Sequence, residues 1–104
     1  MRRGEIWWAN LPAPIGRRPV LLLSRDEAIQ VRTQVTVAEL TTTAYGIPVE
    51  VSLGPQDGVP RSCVVNLDTI TTIPKSYLAD RICEMNPRKM DQVHRAIVFA
   101  LDLP

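Results

Sequence analysis

The chain has 104 residues, enough for one hydrophobic core and too few for a second domain. Hydrophobic residues make up 45% and charged residues 22%, which excludes a disordered or low-complexity chain. The net charge of +1 excludes a polybasic nucleic-acid-binding protein in bulk, so any anion-binding function must lie in how the charges are placed.

Nine prolines and five glycines divide the chain into short pieces, the pattern of short strands between turns. Glu5–Asn10 (EIWWAN) is the first predicted strand; Trp7 and Trp8 are adjacent and so face opposite ways, which expects at least one to be buried. Val20–Leu23 is an uninterrupted apolar run and predicts a strand buried on both faces. Ser24–Gln30 opens on a capping residue and reads as a short helix or turn. Thr33–Leu40 is rich in Val and Thr and predicts a strand, and Pro48–Leu53 another, with Val49, Val51 and Leu53 on one face. Gly54–Arg61 (GPQDGVPR) is turn chemistry. Ser62–Asn66 and Asp68–Ile73 read as two strands, bent or broken between them, and Asp80–Met85 as a last, weaker one.

A helix closes the chain. Asn86 is its expected N-cap, Pro87 occupies N1 where the missing N–H costs nothing, and Met85 and Met90 stand at the positions of a hydrophobic staple. Met90, Val93, Ile97 and Leu101 follow helical spacing and predict a core-facing stripe. About six short strands cannot cover one another as a flat sheet, so the expected fold is mainly β: a curled barrel with one C-terminal helix packed on it.

The chemistry-bearing residues are few. The single histidine, His94, flanks the apolar stripe of the helix and has no partner in sequence, which excludes a two-histidine ribonuclease mechanism within one chain. No His, Cys or carboxylate cluster has metal-ligand spacing, and no glycine-rich phosphate loop occurs, so neither a metal nor a cofactor is expected. Cys63 and Cys83 sit in apolar runs and read as buried free thiols. No stretch approaches the roughly 18 apolar residues of a membrane span, and the N-terminus lacks a signal-peptide pattern, so a cytoplasmic location is expected.

Charge placement is uneven. Residues 1–32 carry six arginines against Glu5, Asp26 and Glu27, whereas residues 33–104 carry six basic and eight acidic side chains. Within the basic part, Gly16-Arg17-Arg18-Pro19 precedes the buried run; Pro19 holds Arg18 extended, fixing a guanidinium at the mouth of a strand. Such an anchored cation suits a phosphodiester transition state, and equally an ordinary surface turn. Thr41-Thr42-Thr43 ends the Val-rich strand; its hydroxyls suit a phosphoryl oxygen, and threonines there are equally good β-formers.

These pieces, in this order, resemble the MazF/PemK toxin family over almost the full length. Arg3-Gly4-Glu5-Ile6-Trp7-Trp8 resembles its opening strand, and Gly16-Arg17-Arg18-Pro19-Val20-Leu21-Leu22-Leu23 its G-x-R-P signature and apolar strand. Thr41-Thr42-Thr43 with Gly46-Ile47-Pro48-Val49-Glu50-Val51 resembles its threonine turn, and Ser62–Asp68 with Ile70 and Ile73 its late double strand. The resemblance implies an SH3-like barrel of the plasmid-toxin (CcdB/MazF) type and a homodimer. It implies the growth-inhibiting toxin of a type II toxin–antitoxin system, an mRNA interferase that cuts single-stranded RNA sequence-selectively without metal and is inhibited by a cognate antitoxin. By motif position it makes Arg18 and Thr41 catalytic, with Arg17, Arg25, Asn10, Thr42 and Thr43 expected to help hold RNA. The chain departs from the family pattern in its short Pro12–Gly16 loop, at Asn10 where many members have aspartate, and at Thr69 where many have glutamine or asparagine. Two alternatives stay open at this point: a toxin of the same fold that poisons DNA gyrase, and a catalytically inactive SH3-like module.

Overall fold

The computed structural model describes all 104 residues. Six antiparallel strands, β1 (Glu5–Asn10), β2 (Arg17–Leu22), β3 (Gln34–Thr41), β4 (Glu50–Leu53), β5 (Cys63–Pro74) and β6 (Leu78–Glu84), form one sheet in the order β4-β5-β3-β2-β1-β6. A short helix, α1 (Asp26–Val31), joins β2 to β3, and α2 (Pro87–Ala100) ends the chain. The fold is mainly β with a C-terminal helix, as expected, but the ladder of the curled sheet stays open between its edges β4 and β6. The helix α2 packs against β4 and β5.

Both faces of the sheet are covered. On one, Ile6, Leu21, Leu40, Val51, Val65 and Leu67 pack with Met85, Val93 and Ala96 from the α2 side. On the other, Ala9, Val20, Leu22, Val35, Val37 and Ile73 pack with Ile29 of α1. Alternate residues of β2 feed the two clusters, which is what an uninterrupted apolar run requires. Val49, Val51 and Leu53 are all buried, as their alternation predicts.

The strand β2 begins at Arg17, earlier than the apolar run suggests, because β1 pairs along it from Ile6 opposite Leu21 to Asn10 opposite Arg17. The connecting turn closes through the Leu11 N–H on the Gly16 carbonyl at 3.0 Å. Gly16 adopts φ +70°, a left-handed conformation that a side chain there would oppose. Ser24 does not cap α1: its Oγ accepts the Thr36 N–H at 2.8 Å, and Arg25 stands at the N-cap without a side-chain cap bond. The strand β4 starts at Glu50, with Pro48 and Val49 in the preceding turn, although the Val49 carbonyl already accepts the Leu67 N–H.

The two late strands are one continuous β5 with a bulge. Ala38 lies opposite Ile70 and Leu40 opposite Val65, so two steps along β3 span five along β5. Asn66 braces the extra residues: its Oδ1 accepts the Asp68 N–H at 2.9 Å and its carbonyl accepts the Thr69 hydroxyl at 3.1 Å. The bend re-aims the first half of β5, which pairs with β4 from Leu53 opposite Cys63 to Glu50 opposite Asn66. β6 starts two residues earlier than its sequence pattern suggests, and Met85 leaves it to bond the Gly4 carbonyl through its N–H.

Asn86 Oδ1 caps α2 by accepting the Lys89 N–H at 2.8 Å. Met90, Val93 and Ile97 face the core, and Ala96 and Ala100 join them; Leu101 falls off the stripe because the helix ends at Ala100. Asn86→Ala is expected to destabilise the fold by about 1 kcal/mol, readable as a lowered denaturation midpoint with an unchanged slope. An unchanged midpoint would mean that solvent replaces the cap.

Candidate functional site

The register of β2 and β3 decides what stands together. The bonded pairs run from Leu22 opposite Val37 to Val20 opposite Glu39. The same register carried two residues further sets Arg18 opposite Thr41. Both residues line one cleft of about 280 Å³, with Pro19, Leu40 and Thr42 beside them and Trp8 from β1. The far wall comes from the β4–β5 connection and the start of β5: Val59, Pro60, Arg61 and Cys63.

Arg18 is held on a strand bonded to β1, where it lies opposite Ala9. Its Nη1 donates to Glu39 Oε1 at 3.0 Å, and about a third of the side chain remains exposed. Thr41 is the last residue of β3 and lies opposite Val64 of β5. Its Oγ1 accepts the Thr43 N–H at 3.2 Å, an arrangement that orients the hydroxyl and leaves its proton for an external acceptor. An arginine and a threonine on adjacent strands thus border the same cleft.

Arg17 lies over the Trp8 ring, 4.8 Å from its centroid, and its Nη2 is 3.5 Å from Asp80 Oδ2. Both contacts hold the guanidinium beside the cleft, and the exposed carboxylate offsets part of its charge. Arg61 is exposed and makes no ion pair, so it brings an uncompensated positive charge to the far wall. Cys63 presents a thiol whose pKa burial raises, with the nearby Asp57 and Cys83 adding to the shift; it stays protonated and is a poor nucleophile at neutral pH. Cys83 is likewise free and half-buried.

Of the residues singled out from sequence, the cleft unites Arg17, Arg18, Thr41 and Thr42. It leaves out Thr43, which contributes its backbone N–H to Thr41, and Asn10, an exposed residue opposite Arg17 in the ladder. Arg25 also stands apart, exposed at the start of α1. Neither tryptophan is fully buried. Trp7 packs on the α1-side cluster and donates its indole N–H to Glu5 Oε1 at 2.9 Å, while Trp8 is half-exposed in the cleft. His94 is exposed on α2, away from the cleft. No three His, Cys, Asp or Glu side chains gather where they could hold a metal ion, and no helix is long and apolar enough to cross a membrane.

Sequence reasoning missed Glu39 and Arg61. Glu39 reads as an outward polar residue in an alternating strand, and its pairing needs the register with β2. Arg61 sits in a turn-rich segment whose folding over the cleft is a tertiary event.

Over almost its full length the chain is similar to proteins of one family. The family model of the PemK-like, MazF-like toxin of type II toxin–antitoxin systems matches residues 2–101. The chain is 41% identical over 101 residues to a probable endoribonuclease, MazF5, of Mycobacterium tuberculosis, covering 96% of this chain and 92% of that protein. The M. tuberculosis toxin MazF-mt6 superposes with a TM-score of 0.89 at 34% identity, over 96% of this chain and 98% of its own. A mycobacterial endoribonuclease solved in complex with its cognate antitoxin also superposes with a TM-score of 0.89, at 32% identity, over 100% of this chain and 97% of its own. With the arginine and threonine of the G-x-R-P and threonine-turn blocks brought to one cleft, and a family match across nearly the whole length, the chain belongs to the PemK-like, MazF-like toxin family of type II toxin–antitoxin systems.

Proposed function

We propose that this protein is the toxin of a toxin–antitoxin pair and acts as an endoribonuclease on single-stranded RNA, one catalytic domain spanning residues 1–104. The observation that carries the reading is that Arg18 and Thr41 line one cleft together with Arg17, Arg61 and Trp8. Relatives named as endoribonucleases support it, and the gyrase-poison reading finds no support among them.

In this mechanism the RNA supplies its own nucleophile. The ribose 2′-OH attacks the adjacent phosphorus in line, the bond to the 5′ oxygen breaks, and the products are a 2′,3′-cyclic phosphate and a 5′-OH. Arg18 stabilises the negative charge that builds on the phosphoryl oxygens, a role suited to a guanidinium that is permanently charged. Thr41 donates to a phosphoryl oxygen and holds the in-line geometry. Neither role calls for a metal ion. Trp8 offers a face on which an unstacked base rests, and Arg17 and Arg61 hold flanking phosphates.

The partners follow from the same reading: a cognate antitoxin that occupies the cleft, a second copy of the chain in a homodimer, and a cytoplasmic setting where RNA and antitoxin are met. Incubating the purified protein with a long single-stranded RNA in EDTA tests the activity. Cleavage is expected to persist in chelator and to leave 5′-OH ends; cleavage that chelator abolishes would overturn the mechanism. Arg61→Ala is expected to weaken RNA binding several-fold and to reduce the salt dependence of log K by about 0.7, the share of one phosphate contact on a single strand. An unchanged salt slope would remove Arg61 from the interface.

A further inference from the structure

The carboxylate that faces Arg18 has no place in the mechanism so far. Glu39 lies on β3 opposite Val20, one diagonal step from Arg18 on the same face of the sheet. Its side chain is only 13% exposed, and its one side-chain bond is the 3.0 Å contact from Arg18 Nη1. Arg18 has no other partner in the protein. A carboxylate beside a cleft for a polyanion opposes binding, because it repels each phosphate that approaches. A largely buried ion pair is no sure gain in stability, because the cost of desolvating the charges offsets their attraction. Neither affinity for RNA nor stability therefore accounts for a mostly buried carboxylate at this position.

We infer that Glu39 is a positioning residue for the reaction: it orients the Arg18 guanidinium through Nη1, so that Nε–H and Nη2–H face the phosphoryl group undergoing attack. The inference rests on the reading of Arg18 as catalytic. A free arginine samples many rotamers, and reaching the productive one at each turnover costs rate. One bond from a strand-anchored carboxylate removes that freedom and still leaves donors in the fork for a phosphate. Glu39 thus trades some RNA affinity for a faster chemical step.

This trade has a kinetic signature that a merely structural residue lacks. Removing the carboxylate slows chemistry while leaving RNA binding unchanged or tighter, so kcat and KM do not worsen together. The test compares wild type, Glu39→Gln, Glu39→Ala, Glu39→Leu and Arg18→Ala. Single-turnover cleavage of a defined single-stranded RNA gives the rate, and binding of the same oligonucleotide with 2′-O-methyl riboses gives the affinity. Glu39→Ala and Glu39→Leu are expected to cut about 10- to 100-fold more slowly with equal or tighter binding. Glu39→Gln keeps an acceptor oxygen and is expected to recover to within about fivefold of wild type. The Arg18 Nε–H resonance in nitrogen-15 spectra is expected to be sharp in wild type and in Glu39→Gln, and broadened in the other two. If Glu39→Ala melts well below wild type, the volume-conserving Glu39→Leu carries the comparison. Glu39→Ala and Glu39→Leu proteins that cut as fast as wild type, or faster, would overturn the inference and make Glu39 a bystander or a brake. Rate and binding that fall together would also overturn it, in favour of a structural role. Arg18→Ala separates the levels: if it cuts like wild type, the reading of the site fails first; if it is inactive while Glu39→Ala is not impaired, only the role of Glu39 fails.

Discussion

Arg18→Ala is expected to cut RNA about 10²- to 10³-fold more slowly than wild type, the usual cost of losing one preorganised donor to a transition-state oxyanion. The expectation follows from where the guanidinium is mounted. β2 pairs with β1 through Arg18 and with β3 from Val20 onward, where Val20 and Leu21 are buried on opposite faces, so the charge is in place before RNA arrives. Arg18→Lys keeps a positive charge but cannot both bond Glu39 and present a planar fork to phosphate, so most of the loss is expected to remain. Thr41→Val is expected to lose about tenfold or more, since it removes the hydroxyl and keeps the β-branched shape. The double variant is expected to be little worse than Arg18→Ala, because the two groups act on one transition state. Single-turnover rates on one defined RNA check all four. Wild-type cleavage by nuclease-free Arg18→Ala protein would take the guanidinium out of the chemistry.

Glu5→Ala is expected to cost about 2–3 kcal/mol of stability, a drop on the order of 10 °C or more in Tm for a chain of this length. Glu5 is the one buried charged residue, 6% exposed. Burial by itself opposes its ionisation. The Trp7 indole N–H, the Arg2 backbone N–H, the Arg81 guanidinium and the N-terminal ammonium outweigh that penalty and hold the carboxyl below the usual glutamate range. The folded protein therefore binds this proton less readily than the unfolded chain. Its contribution to stability is complete above the unfolded value, about 4.3, and is lost as pH falls through the lower folded value. Melting curves of wild type are expected to shift downward with acid in that window, and those of Glu5→Gln to be flatter there. Parallel curves for the two proteins would mean that other carboxylates govern the acid limb.

Arg18 and Thr41, the pair proposed as catalytic, stand out in the sequence because the blocks that carry the family resemblance are local. A proline after Arg18, a double-faced apolar run after that, and a threonine triplet at the end of a Val-rich strand each occupy a few adjacent residues. The cap of α2 was legible for the same reason. What escaped depends on pairing between distant segments. Glu39 meets Arg18 only through the β2–β3 register, and Arg61 reaches the cleft only because the β4–β5 connection folds over it. Ser24 looked like a helix cap, but the Thr36 N–H, a strand donor far along the chain, offered its hydroxyl a better partner. The apparent break near Asp68 was a bulge, which sequence cannot distinguish from two strands without the opposing β3. Leu101 continued the helical period but lies just past the end of α2, where it is exposed.

The double-sided burial of β2 also governs how the site opens and closes in time. Segments at the edge of a fold exchange their amide protons through small local openings, whereas a strand clamped between two neighbours and two apolar layers exchanges only when the whole molecule unfolds. The amides of Val20–Leu22, buried and paired on both sides, are expected to be of the second kind, and Arg18 is carried on the same strand. The strand that carries Arg18 is therefore expected to melt only with the rest of the fold. Silencing such a protein by loosening it would require the full unfolding free energy, while a segment that merely covers the cleft needs only its own binding energy. Such a fold is easier to control by covering the cleft than by loosening the scaffold.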